Sequence, residues 1–142
     1  AKDMYDAVIE RADSMDIIVK AAAVADYRPK SVSSEKVKKQ DGNMSIELER
    51  TDDILKTLGE RKNGQFICGF SMETENMLEN SRKKLEKKNC DMIVANNLKQ
   101  DGAGFGGNTN IVTLITKDDE VQLEKMTKDE VAEKIFDFIL SR

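Results

Sequence analysis

The sequence predicts an α/β fold built on a mainly parallel β-sheet. Three apolar runs carry that prediction: Ile17–Val24, Gln65–Ser71 centred on Phe66-Ile67-Cys68-Gly69-Phe70, and Asp91–Ala95. Such short apolar runs are typical of strands buried between two layers of helix. Helical stretches precede the last two runs, at Asp52–Arg61 and Glu73–Asn89. In open sheets of this kind ligands bind just outside the carboxyl ends of the strands. The segments just beyond the apolar runs are therefore the places to look for function.

Taken in order, Lys2–Ser14 reads as a helix with Met4, Val8, Ala12 and Met15 on one face. The Ile17–Val24 strand comes at once after it. Its last residues, Ala21 to Ala23, leave room for a ligand to approach the backbone, and Asp26 stands where the strand runs out. Pro29 stops a helix from starting there. A carboxylate in that position, with Lys36, Lys38 and Lys39 close behind, suits a free or metal-bound polyphosphate; the plainer reading is a core strand followed by a solvated basic loop. Around Asp41-Gly42-Asn43 the period changes to two, with Met44, Ile46 and Leu48 alternating with Ser45, Glu47 and Glu49. Lys36–Gln40 and Met44–Arg50 are thus expected to form an antiparallel hairpin with one apolar face. A lone hairpin is marginal, so that face needs the domain body or another subunit against it.

Thr51 is placed to cap the helix that starts at Asp52, with acidic residues in its first turn. In the helix over Glu73–Asn89, Leu78, Ser81 and Leu85 are expected inward. Lys84 and Lys88 lie four apart and so share a face, which on spacing alone reads as a solvated helix surface. The Asp91–Ala95 run ends in Asn96-Asn97. The stretch Gly102-Ala103-Gly104-Phe105-Gly106-Gly107 matches G-x-G-x-x-G in letters, but the segment after it, Ile111–Thr116, is a strand and not a helix. Without a helix N-terminus to face a pyrophosphate it is not a dinucleotide fingerprint, and it reads as a mobile loop. Val121–Met126 returns as a second hairpin. Thr127-Lys128-Asp129-Glu130 is a capping box that starts a closing helix with Val131, Ile135, Phe138 and Ile139 facing the core.

Composition narrows the chemistry. The 142 residues suit one domain, and 23 basic against 27 acidic residues give a net charge of −4, which argues against wholesale nucleic-acid binding. No apolar run approaches the roughly 20 residues of a membrane span. There is no histidine, which excludes Ser-His-Asp and Cys-His machinery and the usual transition-metal sites. Cys68 and Cys90 are expected as buried free thiols. Chemistry is left to carboxylates, lysines, backbone amides or a nucleophile brought by the substrate.

In this order the chain carries Ala22-Ala23-Val24-Ala25-Asp26-Tyr27, Lys36-Val37-Lys38-Lys39, Asp53-Ile54-Leu55, Gly69-Phe70 with Glu73-Thr74, and Asp91-Met92-Ile93-Val94-Ala95-Asn96. Together these resemble the synthetase domain of phosphopantothenate–cysteine ligase (phosphopantothenoylcysteine synthetase), a coenzyme A biosynthesis enzyme often fused behind a flavin-dependent decarboxylase. The resemblance extends over essentially the whole chain. It implies a Rossmann-like three-layer sandwich with a protruding antiparallel dimerisation hairpin over residues 36–50, and a cytoplasmic homodimer. It also implies CTP as co-substrate with Mg²⁺, and 4′-phosphopantothenate and cysteine as substrates. Ala22 and Ala23 would line the CTP site and Asp26 would contact the nucleotide, as the one possible metal ligand. Lys36, the expected catalytic residue, would reach the phosphates, and Lys84 and Lys88 would hold the triphosphate. Asp52, Asp53, Ile54 and Leu55 would border the cytidine, with Phe70 packed against it.

The chain departs from the family in two places. Thr51-Asp52-Asp53-Ile54 stands where the family has Asn-Pro-Asp-Ile or Thr-Pro-Asp-Ile. The family's opening strand, glycine-rich loop and processing asparagine are also absent from these 142 residues, so the chain is expected to be the C-terminal part of the domain and inactive alone. Two other readings stay open, a non-catalytic nucleotide-binding module and another doubly wound anion- or flavin-binding protein. The flavin reading has only Tyr5 and Tyr27, and no tryptophan, to stack on an isoalloxazine.

Overall fold

Alternation along the central strands sets up the layers. In the computed structural model, which describes residues 1–39, 41–73, 75–97 and 107–142, β1 (Ile17–Lys20), β4 (Phe66–Glu73) and β5 (Met92–Asn97) run parallel in the order β1-β4-β5. Two antiparallel strands, β7 (Val112–Ile115) and β8 (Glu120–Gln122), extend the sheet beyond β5, and a short separate ribbon pairs β6 (Thr109–Asn110) with β9 (Met126–Thr127). Ile18, Ile67 and Ile93 point to one side, where they pack with Ile54, Leu55 and Leu58 of α2 (Ile54–Arg61), Ala12 of α1 (Lys2–Ala12) and Leu85 of α3 (Met77–Lys87). Val19, Cys68, Met92, Val94, Val112 and Leu114 point to the other, against Val131, Ile135 and Ile139 of α4 (Lys128–Leu140). The period of two thus divides one sheet between two helical layers, giving the expected α/β sandwich. No helix among the described residues is long and apolar enough to cross a membrane.

The capping box of α4 forms as read: Thr127 Oγ1 accepts from the Glu130 N–H while the Glu130 carboxylate accepts from the Thr127 N–H. Elsewhere the element ends move. The first strand stops at Lys20, not Val24, so the alanines fall in the loop beyond it. Asp53, not Thr51, caps α2, accepting from the Lys56 N–H at 2.9 Å. The third helix begins only at Met77, which leaves Leu78 in its first turn and 39% exposed, while Ser81 and Leu85 are buried as expected. Met15 lies beyond the end of α1 and is exposed. The glycine stretch 102–107 falls on residues outside those described, except for Gly107.

The expected hairpin is corrected. The antiparallel ribbon joins β2 (Tyr27–Pro29) to β3 (Leu48–Arg50), with Tyr27 opposite Arg50 and Pro29 opposite Leu48. The described residues of Lys36–Gln40 and the stretch 44–47 form no strand. The register is set at the base of the ribbon, where Thr51 donates its N–H to the Asp26 carbonyl at 3.0 Å and its hydroxyl to the Ala25 carbonyl at 2.6 Å. Ion pairs Arg28–Glu49 and Lys30–Glu47, both 2.7 Å, then favour residues 28–30 as the partner strand. The lysine run is left in the connection, which carries Val32, Val37, Met44 and Ile46 exposed.

Candidate anion-binding cleft

β1 ends at Lys20, beside Gly69 of β4, and β4 and β5 run on past it as a pair to Glu73 and Asn97. Over those carboxyl ends lies a cleft of about 900 Å³, the place where open α/β sheets bind ligands. The loop after β1 forms one wall, with Ala21 to Val24, Asp26 and Tyr27; the stretch Arg50–Leu55 leading into α2 forms the next. Phe70 to Glu73 at the end of β4 make the floor, Lys84 and Lys88 enter from α3, and Lys128, Val131, Ala132 and Ile135 of α4 close the far side.

Two features of local structure bring the cations in. Ser81, fully buried on α3, shares a 2.6 Å hydrogen bond with Ser71 of β4, which seats the helix on the strand end. One turn later Lys84 Nζ donates to the Phe70 carbonyl at 2.8 Å. Another turn on, Lys88 pairs with the Asp53 carboxylate, its side chain only 16% exposed. Burial pushes the Asp53 carboxyl up, but the Lys88 hydrogen bond and the Lys56 N–H outweigh it and hold Asp53 below the usual aspartate range. At neutral pH Asp53 is therefore ionised, at once the cap of α2 and the counter-ion of Lys88. Lys20 also lines the cleft. Burial lowers its ammonium from the ordinary lysine value, and the charge of Lys84 lowers it further.

The predicted residues Ala22, Ala23, Asp26, Asp52, Asp53, Ile54, Leu55, Phe70, Lys84 and Lys88 all line this one cleft. Lys36 does not. It is exposed on the segment after β2, outside the lining residues. Sequence reasoning missed Lys20, Arg50, Lys128 and the apolar wall of α4. It also missed the pairing at the mouth, where the Arg50 guanidinium lies over the Tyr27 ring, 5.7 Å from its centroid. Lys20 had a visible signal, a lysine closing an apolar strand just before three alanines; the α4 wall had none, because it is brought in by topology alone.

The inventory of the cleft limits its chemistry. The two free thiols are buried, and burial raises Cys68 to about 12 and Cys90 to about 11, so neither is a nucleophile near neutrality. Among the described residues no group of three or more Cys, Asp or Glu could hold a metal ion. The cleft offers ammonium groups at strand ends with aromatic and aliphatic walls, the equipment for binding a polyanion attached to an apolar or planar group.

Comparison with known proteins agrees in placing the whole chain in one group. The family described as "DNA/pantothenate metabolism flavoprotein C-terminal domain" matches residues 1–142. The coenzyme A biosynthesis bifunctional protein CoaBC of Bacillus subtilis (strain 168) is 55% identical over 118 residues, 83% of this chain and 29% of that protein. A cysteine/cysteine sulfinic acid decarboxylase from an unknown prokaryotic organism is 43% identical over 143 residues, 99% of this chain and 40% of that protein. The crystal structure of the C-terminal domain of a coenzyme A biosynthesis bifunctional protein CoaBC superposes with a TM-score of 0.78 at 46% identity, covering 98% of this chain and 60% of the solved one. The chain thus spans well under half the length of either curated relative.

Proposed function

The chain belongs to the DNA/pantothenate metabolism flavoprotein C-terminal domain family, and from that premise we propose that it contributes the nucleotide site of a phosphopantothenate–cysteine ligase in coenzyme A biosynthesis. One observation carries the reading: Lys84 and Lys88 converge with Asp26, Asp53 and Phe70 on a single strand-end cleft, in a chain whose likeness to CoaBC proteins runs nearly from end to end. The decarboxylase name of the second relative belongs to a protein of which this chain spans 40%.

In this reading Ala22 and Ala23 let CTP close on the backbone after β1, and Asp26 contacts the nucleotide. Asp52 to Leu55 border the cytosine with Phe70 against it, and Lys84 and Lys88 hold the triphosphate. Lys36 reaches the phosphates from its exposed segment. The substrate carboxylate is already an anion at neutral pH, so the absence of histidine is no obstacle. Its oxygen attacks the α-phosphorus of CTP, the bond to the β-phosphate breaks, and pyrophosphate leaves. The amine of cysteine then attacks the acyl carbon of the acyl-cytidylate, loses a proton, and expels CMP. The protein supplies position and charge neutralisation. Mg²⁺ fits as a companion of the phosphates more than as a resident ion, since such sites need only one or two carboxylates beside the phosphate oxygens; Asp26, one of the carboxylates lining the cleft, would serve in this reading, and bound Mg²⁺ would offset phosphate charge. Calorimetric titration separates this reading from the flavin one: CTP should bind and FMN should not, and the reverse would replace the nucleotide reading.

We further propose that residues 36–50 are a dimerisation arm, and that the enzyme is a cytoplasmic homodimer, fused to or associated with a flavin-dependent decarboxylase. Val37 is 65% exposed, Met44 73%, Ile46 61% and Leu48 56%, a concentration of apolar surface that an interface would cover. Changing Ile46 and Leu48 to Lys should yield monomers by light scattering, because charge would be placed in an apolar contact. A double variant that stays dimeric would move the interface elsewhere.

A further inference from the structure

We propose that Lys20 is a third polyphosphate-binding residue of the cleft, supplied by the last position of β1, and that it tunes the site to ligands carrying two or more linked phosphates. The inference rests on reading the cleft as a nucleotide site and adds a residue that the family resemblance did not assign. Lys20 closes β1 directly opposite Gly69, and the carbonyl of the next residue, Phe70, holds Lys84 Nζ. Both lysines therefore line one cleft, where β1 gives out beside the middle of β4, close enough for the charge of Lys84 to be felt at Lys20.

Their situations differ from that of Lys88. The Lys88 charge is already met by Asp53, whereas Lys84 bonds a neutral carbonyl, and Lys20 has no hydrogen-bond or ion-pair partner among the described residues. The charged groups facing Lys20 are Lys84 from α3, Asp53 from the start of α2 and Asp26 from the loop after β1. Burial and Lys84 together outweigh the two carboxylates and lower the Lys20 ammonium. A half-buried cation kept beside another cation costs the free protein stability. An anion spanning Lys20 and Lys84 removes that cost. A single phosphate can neutralise one of them well; linked phosphates reach both.

The probe is inorganic tripolyphosphate without divalent metal, compared with inorganic phosphate, on the full chain and its Lys20→Met variant. The free variant should melt at or above the wild-type temperature, because the charge that burial penalises is gone. Its tripolyphosphate affinity should nevertheless fall about tenfold, the usual size of one lost charge-assisted contact, while its phosphate affinity changes little. As pH is raised, wild-type affinity should begin to decline earlier than that of the variant, because Lys20 releases its proton ahead of an ordinary lysine, and Lys20→Arg should restore binding. Equal tripolyphosphate affinity in wild type and Lys20→Met would overturn the role of Lys20 and leave the nucleotide reading standing. A wild type that binds no tripolyphosphate would overturn both.

Discussion

Replacing Lys84 by Met is expected to lower CTP affinity by about 2–3 kcal/mol, roughly thirty- to 150-fold, and to leave cytidine binding unchanged. Lys84 is the better choice of the α3 pair for this test. Its hydrogen-bond acceptor in the free protein is the Phe70 carbonyl, a group at the cleft floor that water can serve once the ammonium is gone. Lys88 is bound up with the fold, since removing it strands the Asp53 carboxylate that caps α2. Met preserves the aliphatic stem, so packing along α3 is kept. The variant also relieves the like charge felt by Lys20, and its melting temperature should not fall. Titration calorimetry with CTP and with cytidine reads the effect. An unchanged CTP affinity would take Lys84 out of the phosphate site.

Gly59→Ala should destabilise the protein by about 3 kcal/mol or more. Alanine is the better helix former by about 1 kcal/mol, and in an open helix the change would help. At Gly59 the added methyl would stand 1.8 Å from the Lys88 carbonyl oxygen and 3.2 Å from the Asn89 Cβ. The first of these is backbone and cannot rotate away, so α2 must separate from the end of α3, with a cost at the upper end of overpacking. The contact is held in place by Asn89, which takes a left-handed conformation at φ 50° and donates its amide to the Gly59 carbonyl at 2.9 Å. Gly69 is a useful control. A methyl there meets the ends of flexible side chains, Leu55 Cδ2 at 2.7 Å and Ile93 Cδ1 at 3.0 Å, and should cost less. Thermal unfolding of both variants decides the matter: a Gly59→Ala protein as stable as wild type would mean that the two helices do not meet here. Because the same junction carries Lys88, the variant should also weaken CTP binding.

The sequence made the central layers legible because burial on both faces leaves long apolar runs, and β4 and β5 lie where those runs predict. The capping box at Thr127 was legible because both halves of a reciprocal hydrogen bond are local. Partners set by distant residues were not. The β2–β3 ribbon depends on Thr51 reaching back to Ala25 and Asp26, and the alternation at Met44–Leu48 gave no sign of which segment it would face. Asp53 displaced Thr51 as the cap of α2 because it also meets Lys88, 35 positions away. The cleft residues were named from motif resemblance, and the fold brings ten of the eleven together. Lys20 escaped because the apolar run reads on through the alanines to Val24, which hides that the strand ends at the lysine.

The most direct test of a CTP-dependent ligase site is the substrate dependence of pyrophosphate and CMP release. It is best done in a protein extended to the full length of the solved CoaBC domain, 60% of which this chain covers. Pyrophosphate should appear only when CTP and 4′-phosphopantothenate are both present, and CMP only when cysteine is then added, with both products falling sharply in Lys84→Met. Pyrophosphate release that needs no 4′-phosphopantothenate, or turnover indifferent to Lys84, would contradict the assignment of this cleft.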